Sequence, residues 1–256
     1  MLAIERKNEI LDKLRAEQRV LVSDLAAYYR VTEETIRRDL DKLEKEGYAT
    51  KTYGGAILGN STKTDLSYTI RNKTNVEAKN QIAAIASRLI EDGDHLMLDD
   101  SSTSLYLAKK LKEKKNLTVI TNSVELVMEL NGVESWTILL TGGRLKPESL
   151  ALVGDQTQQM LRQYHVDKAL LSCKGLDLDA GVTDSSEFHA QTKQSMLHCA
   201  KKRILILDSS KFDKVSFINI APLDAFDTVV TNAVPSRAWL DCFAEHHIEC
   251  LYPGAK

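Results

Sequence analysis

The chain has 256 residues, 43% of them apolar, and a formal charge of −2. That length exceeds the usual single domain and predicts roughly two, and the composition is that of an ordinary soluble globular protein. No run of about 18 apolar residues exists, which excludes a transmembrane helix; MLAIERKNEI has no apolar signal-peptide core, so a cytoplasmic location without a membrane partner is expected.

The four cysteines, Cys173, Cys199, Cys242 and Cys250, form no CxxC pair and fit no zinc template. His246, His247 and Cys250 lie close in sequence, but a helix end followed by a strand accounts for them. No metal and no cofactor is expected, and the cysteines read as reduced, mostly buried thiols.

In chain order, residues 4–17 read as a helix with Ile4, Ile10, Leu11 and Leu14 on one stripe. Ser23 is expected to cap a short second helix, Asp24 to Tyr29, burying Leu25 and Ala26. After a tight turn at Arg30-Val31, Thr32 caps a third helix running to about residue 46. Glu33 and Glu34 suit its positive end, Ile36, Leu40 and Leu43 form its buried stripe, and Gly47 ends it as a left-handed cap. Residues 48–53 alternate as a strand, and Gly54-Gly55 turns the chain back through Ala56, Ile57 and Leu58.

Helix, helix, strand and glycine turn in this order suit a winged helix-turn-helix over residues 1–58. Eleven basic and eleven acidic side chains balance there, so a DNA-reading face has to come from local arrangement. Thr32, Thr35, Arg37 and Arg38 fall on the side of the third helix away from Ile36 and Leu40, where arginine can reach guanine or phosphate. Lys51 and Tyr53, with Gly54 and Gly55 turning the hairpin, are placed to hold the DNA backbone. A solvated helix with its arginines paired to Asp39, Asp41 and Glu44 is the competing reading.

Residues 59–75, GNSTKTDLSYTIRNKTN, are polar and poorly periodic and read as a linker. From residue 76 to 256 short apolar strands alternate with helices. Strands are expected at 95–99, 117–121, 136–140, 168–172, 203–208, 228–231 and 248–251. Helices are expected at 76–90, 102–112, 124–130, 156–163, 187–200 and 236–246. The alternation implies a mostly parallel α/β sheet covered on both faces.

Ligands bind such sheets beyond the carboxyl ends of the strands, and five ends are polar or glycine-rich. They carry Asp99-Asp100-Ser101-Ser102-Thr103, Thr121-Asn122-Ser123, Gly142-Gly143-Arg144, Cys173-Lys174-Gly175 and Ser209-Ser210-Lys211. Hydroxyls at a helix start can cradle an anion, and Gly142-Gly143 lets backbone N–H groups approach it. Arg144 and Lys211 can neutralise phosphate, and Asp99, Asp100 and Glu187 can accept from sugar hydroxyls. Singly, a serine cluster at a helix start is equally an N-cap and Gly-Gly equally a turn. Jointly they describe a site for a phosphorylated polyol.

These motifs resemble the DeoR family of bacterial transcriptional regulators over nearly the whole chain. VSDLAAYYRVTEETIRRDLDKLEKEG followed by KTYGGAIL is similar to its DNA-binding signature, S-x-x-T-[IV]-R-R-D-L-x-x-L-E-x-x-G with a following GGA. LDDSST at 98–103, LTVITNS at 117–123, TGGRLKPESLALVG at 141–154, VDKALLSCKG at 166–175 and LDSSKF at 207–212 are similar to its sensor domain. The resemblance implies a repressor of a carbohydrate-catabolism operon that binds operator DNA as a homodimer or homotetramer. It implies a sensor domain with the fold of ribose-5-phosphate isomerase, and release from DNA by a phosphorylated sugar held by Asp100 to Thr103, Thr121 to Ser123, Gly142-Gly143, Glu187 and Lys211. An activator of the same architecture is the variant reading.

Two departures matter. The family's small-residue loop D-S-G-T-T reads Asp100-Ser101-Ser102-Thr103 after Asp99, and Cys173-Lys174-Gly175 replaces Ala-Asp-Gly. A carboxylate at 174 would resemble the proton-abstracting acid of the isomerases. Lysine there weighs against an isomerase working through Asp99, Asp100, Asp184 or Glu187 and adds positive charge to the pocket; no enzyme activity is expected.

Overall fold

The computed structural model describes residues 3–17, 19–45, 48–58 and 68–255. The expected cap at Gly47 and residues 59–67 of the expected linker lie outside the described residues. The chain divides into two units, residues 1–67 and 68–256.

The first unit contains α1 (Ala3–Glu17), β1 (Arg19–Leu21), α2 (Val22–Tyr29), α3 (Glu33–Lys45), β2 (Ala49–Thr52) and β3 (Gly55–Leu58). Its strands form an antiparallel sheet in the order β1-β3-β2. Ile10, Leu11, Leu14, Leu25, Ile36, Leu40 and Leu43 build the core, while Ile4, expected on the α1 stripe, is exposed. The α3 stripe and its Thr32 cap stand as expected: the Thr35 N–H donates to Thr32 Oγ1 at 3.3 Å. The Ser23 cap does not. The helix α2 starts two residues earlier than expected, and the Val22 N–H donates at 2.9 Å to the Gly54 carbonyl, so backbone meets a need that side-chain capping usually fills. That contact follows from β1, a strand absent from the sequence reading, which lies so close to β3 that a Cβ on Gly55 would sit 2.1 Å from the Val20 oxygen.

The second unit opens with α4 (Tyr68–Lys73), inside the expected linker, and α5 (Val76–Ala86), which ends in a 3₁₀ turn. Polar residues form a helix at α4 because they find partners: the Tyr106 hydroxyl donates to the Asn72 carbonyl at 3.0 Å, and Lys79 Nζ donates to the Arg71 and Thr74 carbonyls. The chain continues through β4 (His95–Leu98), α6 (Ser102–Leu111), β5 (Thr118–Thr121), α7 (Val124–Glu129) and β6 (Thr137–Leu140). A hairpin, β7 (Arg144–Lys146) and β8 (Ala151–Val153), leads to α8 (Asp155–Leu161) and β9 (Val166–Leu171). Next come β10 (Gly175–Asp177), β11 (Gly181–Asp184), α9 (Glu187–His198) and β12 (Ala200–Ile206). The unit closes with β13 (Ile218–Ala221), β14 (Thr228–Val230), α10 (Arg237–Glu245) and β15 (Glu249–Leu251).

All seven expected strands are present and pair in one parallel sheet, order β15-β14-β12-β9-β4-β5-β6. Alternate residues of the strands feed two cores. Leu96, Leu98, Val119, Leu170 and Ile204 pack with α5, α6 and α7, and Met97, Ile120, Leu171, Leu205 and Val229 pack with α9 and α10, as a sheet covered on both faces requires. In the second core Trp239 packs edge-on against Phe212 at 5.0 Å and beside Phe243 at 5.5 Å, and its Nε1 donates to Asp213 Oδ1 at 2.9 Å. The β7–β8 hairpin and the antiparallel β10-β11-β13 sheet were not foreseen. Each strand has only three or four residues, too few for a readable period.

Strand order reverses beside β4. From there the chain moves outward to β5 and β6, then returns to β9 and leaves the other way. That reversal is the switch point at which open sheets of this kind make a crevice.

Candidate DNA-binding face and effector site

On α3, Arg37 and Arg38 stand in solvent but are not bare. The Arg37 guanidinium meets Glu33 at 2.6 Å and Arg38 meets Glu34 at 3.3 Å, one helical turn back. Neither arginine pairs with Asp39, Asp41 or Glu44 in the way the competing reading supposed. Asp39 is buried and takes Arg6 at 2.6 Å, and Asp41 and Glu44 take Lys51, whose N–H also donates to Glu44 Oε1 at 2.8 Å. Lys51 therefore ties the hairpin to α3. Thr32 and Thr35 share a hydroxyl contact of 2.9 Å at the helix start. Tyr53 is fully exposed at the hairpin tip, and Gly54 takes φ +82° in open space, so backbone angle alone requires glycine there.

In the second unit the five expected strand ends belong to β12, β9, β4, β5 and β6, which are contiguous in the sheet. Asp99, at the end of β4, is wholly buried. Its Oδ1 accepts from Ser104 Oγ at 2.5 Å and the Ser101 N–H at 3.2 Å, and its Oδ2 accepts from the Ser172 N–H at 2.9 Å. These bonds fasten the end of β4 to the start of α6 and to the residue that follows β9, and they occupy both carboxylate oxygens. Asp100 lies 3.2 Å from His189 Nδ1 and 4.0 Å from Arg71. Burial alone would raise its carboxyl, but His189, Lys193 and Arg71 hold it far below the ordinary carboxylate range.

Lys193, from α9, is the buried hub: it reaches Asp184 at 2.6 Å and Asp99 at 3.5 Å. Burial opposes its charge, yet Asp184, Asp99 and Asp100 outweigh that and hold the ammonium above the ordinary lysine value. Asp184 is lowered in turn; burial works against its charge, and Lys193, Lys174 and His189 overcome it.

A second group of cations gathers at the ends of β9 and β12. Lys79 on α5 is buried, and burial pushes it down to about 8, helped by Lys211, Arg71 and Lys174 and opposed by Asp208. Asp208 starts the turn carrying Lys211; its Oδ1 accepts from the Ser210 N–H at 3.1 Å and from Asn75 Nδ2 at 3.2 Å. Cys173 lies beneath, its thiol pushed up to about 12 by burial. Gly175 is required by packing, since a Cβ there would meet the Lys214 oxygen at 2.2 Å.

Ser101 and Ser123 are N-caps of α6 and α7, accepting from Ser104 and Leu126 at 3.0 and 3.2 Å; Ser102 and Thr103 are buried in the first turn of α6. Thr121 Oγ1 accepts from the Ser123 N–H at 3.1 Å. The Asn122 amide donates to the Leu152 carbonyl at 3.1 Å, while its Oδ1 and the nearby Thr141 hydroxyl are buried with no hydrogen bond. Gly142 faces open space, but a Cβ on Gly143 would strike Thr157 Oγ1 at 2.2 Å. The two glycines therefore differ, one facing open space and one packing the hairpin. Arg144 lies over the Phe188 ring at 4.7 Å, and Glu187 is exposed and accepts from Gln191 at 3.1 Å.

Lys193, Lys79, Arg71 and His189 were not among the expected site residues. Two of them leave a trace in the sequence: Lys79 precedes Ile82, Ala83 and Ala86 at helical spacing, and Lys193 lies between Ala190 and Met196. A lysine on the apolar stripe of a helix must find a buried partner.

Residues 6–62 match the model of the DeoR-like helix-turn-helix domain, and residues 74–233 match that of the DeoR C terminal sensor domain. The chain is 39% identical to an uncharacterized HTH-type transcriptional regulator, YulB, of Bacillus subtilis (strain 168), over 91% of this chain and 90% of that protein. It is 37% identical to the HTH-type transcriptional repressor GlcR of the same strain, over 96% and 95%. Among solved structures, ribose 5-phosphate isomerase A from Methanocaldococcus jannaschii is similar at a TM-score of 0.40 and 18% identity, covering 54% of this chain and 55% of that one, a likeness too weak to bear on function. With both parts matched and relatives of this closeness spanning nearly its full length, the chain belongs to the DeoR family of transcriptional regulators.

Proposed function

We propose that the protein is a cytoplasmic repressor of a carbohydrate-catabolism operon, bound to its operator as a homodimer or homotetramer and released by a phosphorylated sugar. One observation carries the effector half: Arg71, Lys79, Lys174 and Lys211 gather beside Asp208 at the carboxyl ends of the central strands. Four cations facing a phosphate, with Asn122 Oδ1, Thr141 and Gly142 along the same rim to meet hydroxyls, fit a small anionic polyol. The DNA half rests on the exposed Arg37 and Arg38 of α3 and on the hairpin tip at Tyr53 and Gly54. Repression is favoured over activation by the relative named as a repressor.

Isomerase chemistry is disfavoured by the same geometry. Asp99 and Asp184 are engaged by Lys193 and backbone N–H groups, Asp100 by His189, and position 174 carries lysine. A group tied in this way is a poor proton acceptor.

The linkage is thermodynamic: a ligand that favours the conformer with low DNA affinity weakens operator binding by its differential affinity, about 5- to 150-fold for a coupling of 1–3 kcal/mol. Operator binding measured against a panel of sugar phosphates tests this. At least one should weaken binding; a flat response across a broad panel rejects the effector. Lower reporter expression on deleting the gene would turn the repressor into an activator.

A further inference from the structure

The chain enters the second unit through α4, and polar contacts join the described side chains and carbonyls of α4 to the cation cluster. Lys79 Nζ holds two carbonyls at its carboxyl end, those of Arg71 and Thr74. The Arg71 side chain, itself largely buried, reaches Asp100 at 4.0 Å. Asn75, just beyond, donates to Asp208 at 3.2 Å and takes φ 52°, a left-handed conformation uncommon outside glycine. Tyr106, on α6 with its ring 5.9 Å from Lys79 Nζ, donates to the Asn72 carbonyl at 3.0 Å, while the buried Asn72 Oδ1 has no hydrogen bond.

These contacts differ in how easily they yield. Asp100 keeps His189 at 3.2 Å when Arg71 leaves, so losing the longer contact strands no buried carboxylate. Among the described residues the ammonium of Lys79 donates to neutral carbonyls and lies 5.9 Å from the Tyr106 ring, within the field of Asp208, Lys174 and Lys211. A phosphate offers both cations a charged acceptor, and charge-assisted hydrogen bonds are roughly twice as strong as neutral ones. The two cations that fasten α4 are therefore the two whose present partners an anion most readily replaces.

We propose that α4 is the transmitter of the switch: an anion at the cluster draws Lys79 away from the α4 carbonyls and Arg71 away from Asp100, α4 comes loose, and operator affinity falls. This rests on the effector reading above and adds the route by which occupancy reaches the operator. The fastened α4 is the operator-binding state, and removing its fastening mimics the effector.

The test needs no ligand. In the full-length protein, amide exchange is followed by mass spectrometry, and affinity is measured for operator duplexes selected from random DNA. Lys79→Met should speed exchange across residues 68–74 and weaken operator binding by about tenfold, within the range of allosteric couplings, with exchange in β4 and β9 unchanged. Tyr106→Phe, which removes the hydrogen bond to Asn72 and keeps the ring beside Lys79, should do both by about fivefold. Faster exchange in α4 with full operator affinity would overturn the transmitter, and unchanged exchange would overturn the fastening. If Lys79→Met also exposes β4 and β9, it has unfolded the unit, and Tyr106→Phe decides by the same two readings. Failure of the effector reading is distinct: wild-type operator binding would then ignore glucose 6-phosphate, glycerol 3-phosphate and the rest of the panel, while the ligand-free variants still decide the role of α4.

Discussion

The α3 surface and the cluster at the sheet ends handle charge in opposite ways. On α3, Arg37 and Arg38 pair with acids one turn away in side chains half or more exposed. Under the sheet ends, Lys193 pairs with Asp184 and Asp99 in side chains almost wholly removed from water. Exposed pairs are worth little and exchange freely, so the α3 arginines can trade carboxylate for phosphate or guanine at small cost. Buried pairs lose heavily when one partner goes, so Lys193 and its carboxylates make a fixed frame. A switch needs both: a rigid site that recognises and a surface that lets go.

The sharpest way to break this contrast is Lys193→Met. It leaves Asp99 and Asp184 buried without their cation and should cost about 3–5 kcal/mol in urea unfolding. A loss under about 1 kcal/mol would mean that water reaches the cluster and that the two sites treat charge alike.

Arg37→Ala should weaken specific operator binding by about 1–3 kcal/mol if the guanidinium reads a base. Competition with nonspecific DNA checks this, because an equal loss on all sequences would make Arg37 a phosphate contact only.

The third prediction concerns pH. Lys79 is held near 8, below the ordinary lysine value, by burial. Between about 8 and the unfolded value near 10.4 the unfolded chain binds the extra proton, so this lysine makes stability rise with pH in that window. Subtracting the unfolding free energies of Lys79→Met from those of wild type should isolate the rise; a flat difference from pH 8 to 10 would place Lys79 in water.

The smallest effect belongs to Glu33→Gln. Stability should move by less than about 0.5 kcal/mol, while operator affinity rises because one anion fewer faces the phosphates. A fall in affinity would instead make Glu33 the buttress that aims Arg37.

Most of the frame was legible from the residues. Parallel strands buried on both faces run apolar, and Leu96–Leu98, Val119–Ile120 and Ile204–Ile206 announce themselves. The α3 stripe and Thr32 cap were legible for the matching reason, a local period with a local cap. What escaped depends on distant partners. The Val22 N–H is met by Gly54, so Ser23 is not needed as a cap. Tyr68–Lys73 is polar and becomes helical through Tyr106 and Lys79. The strand ends were placed by position, but the Lys193 cluster joins residues up to 94 positions apart, Asp99 and Lys193, and no local pattern encodes that pairing.

The packing of Trp239 against Phe212 has an optical consequence. The sequence has two tryptophans. Trp136 lies at the start of β6 with its Nε1 bonded to the Lys114 carbonyl at 2.9 Å, whereas Trp239 leans on the residue that follows Lys211 and bonds to Asp213 two positions beyond Lys211. In a Trp136→Phe background, all indole emission comes from beside the Lys211 turn. Intrinsic fluorescence then follows that turn in real time, without a dye and without DNA.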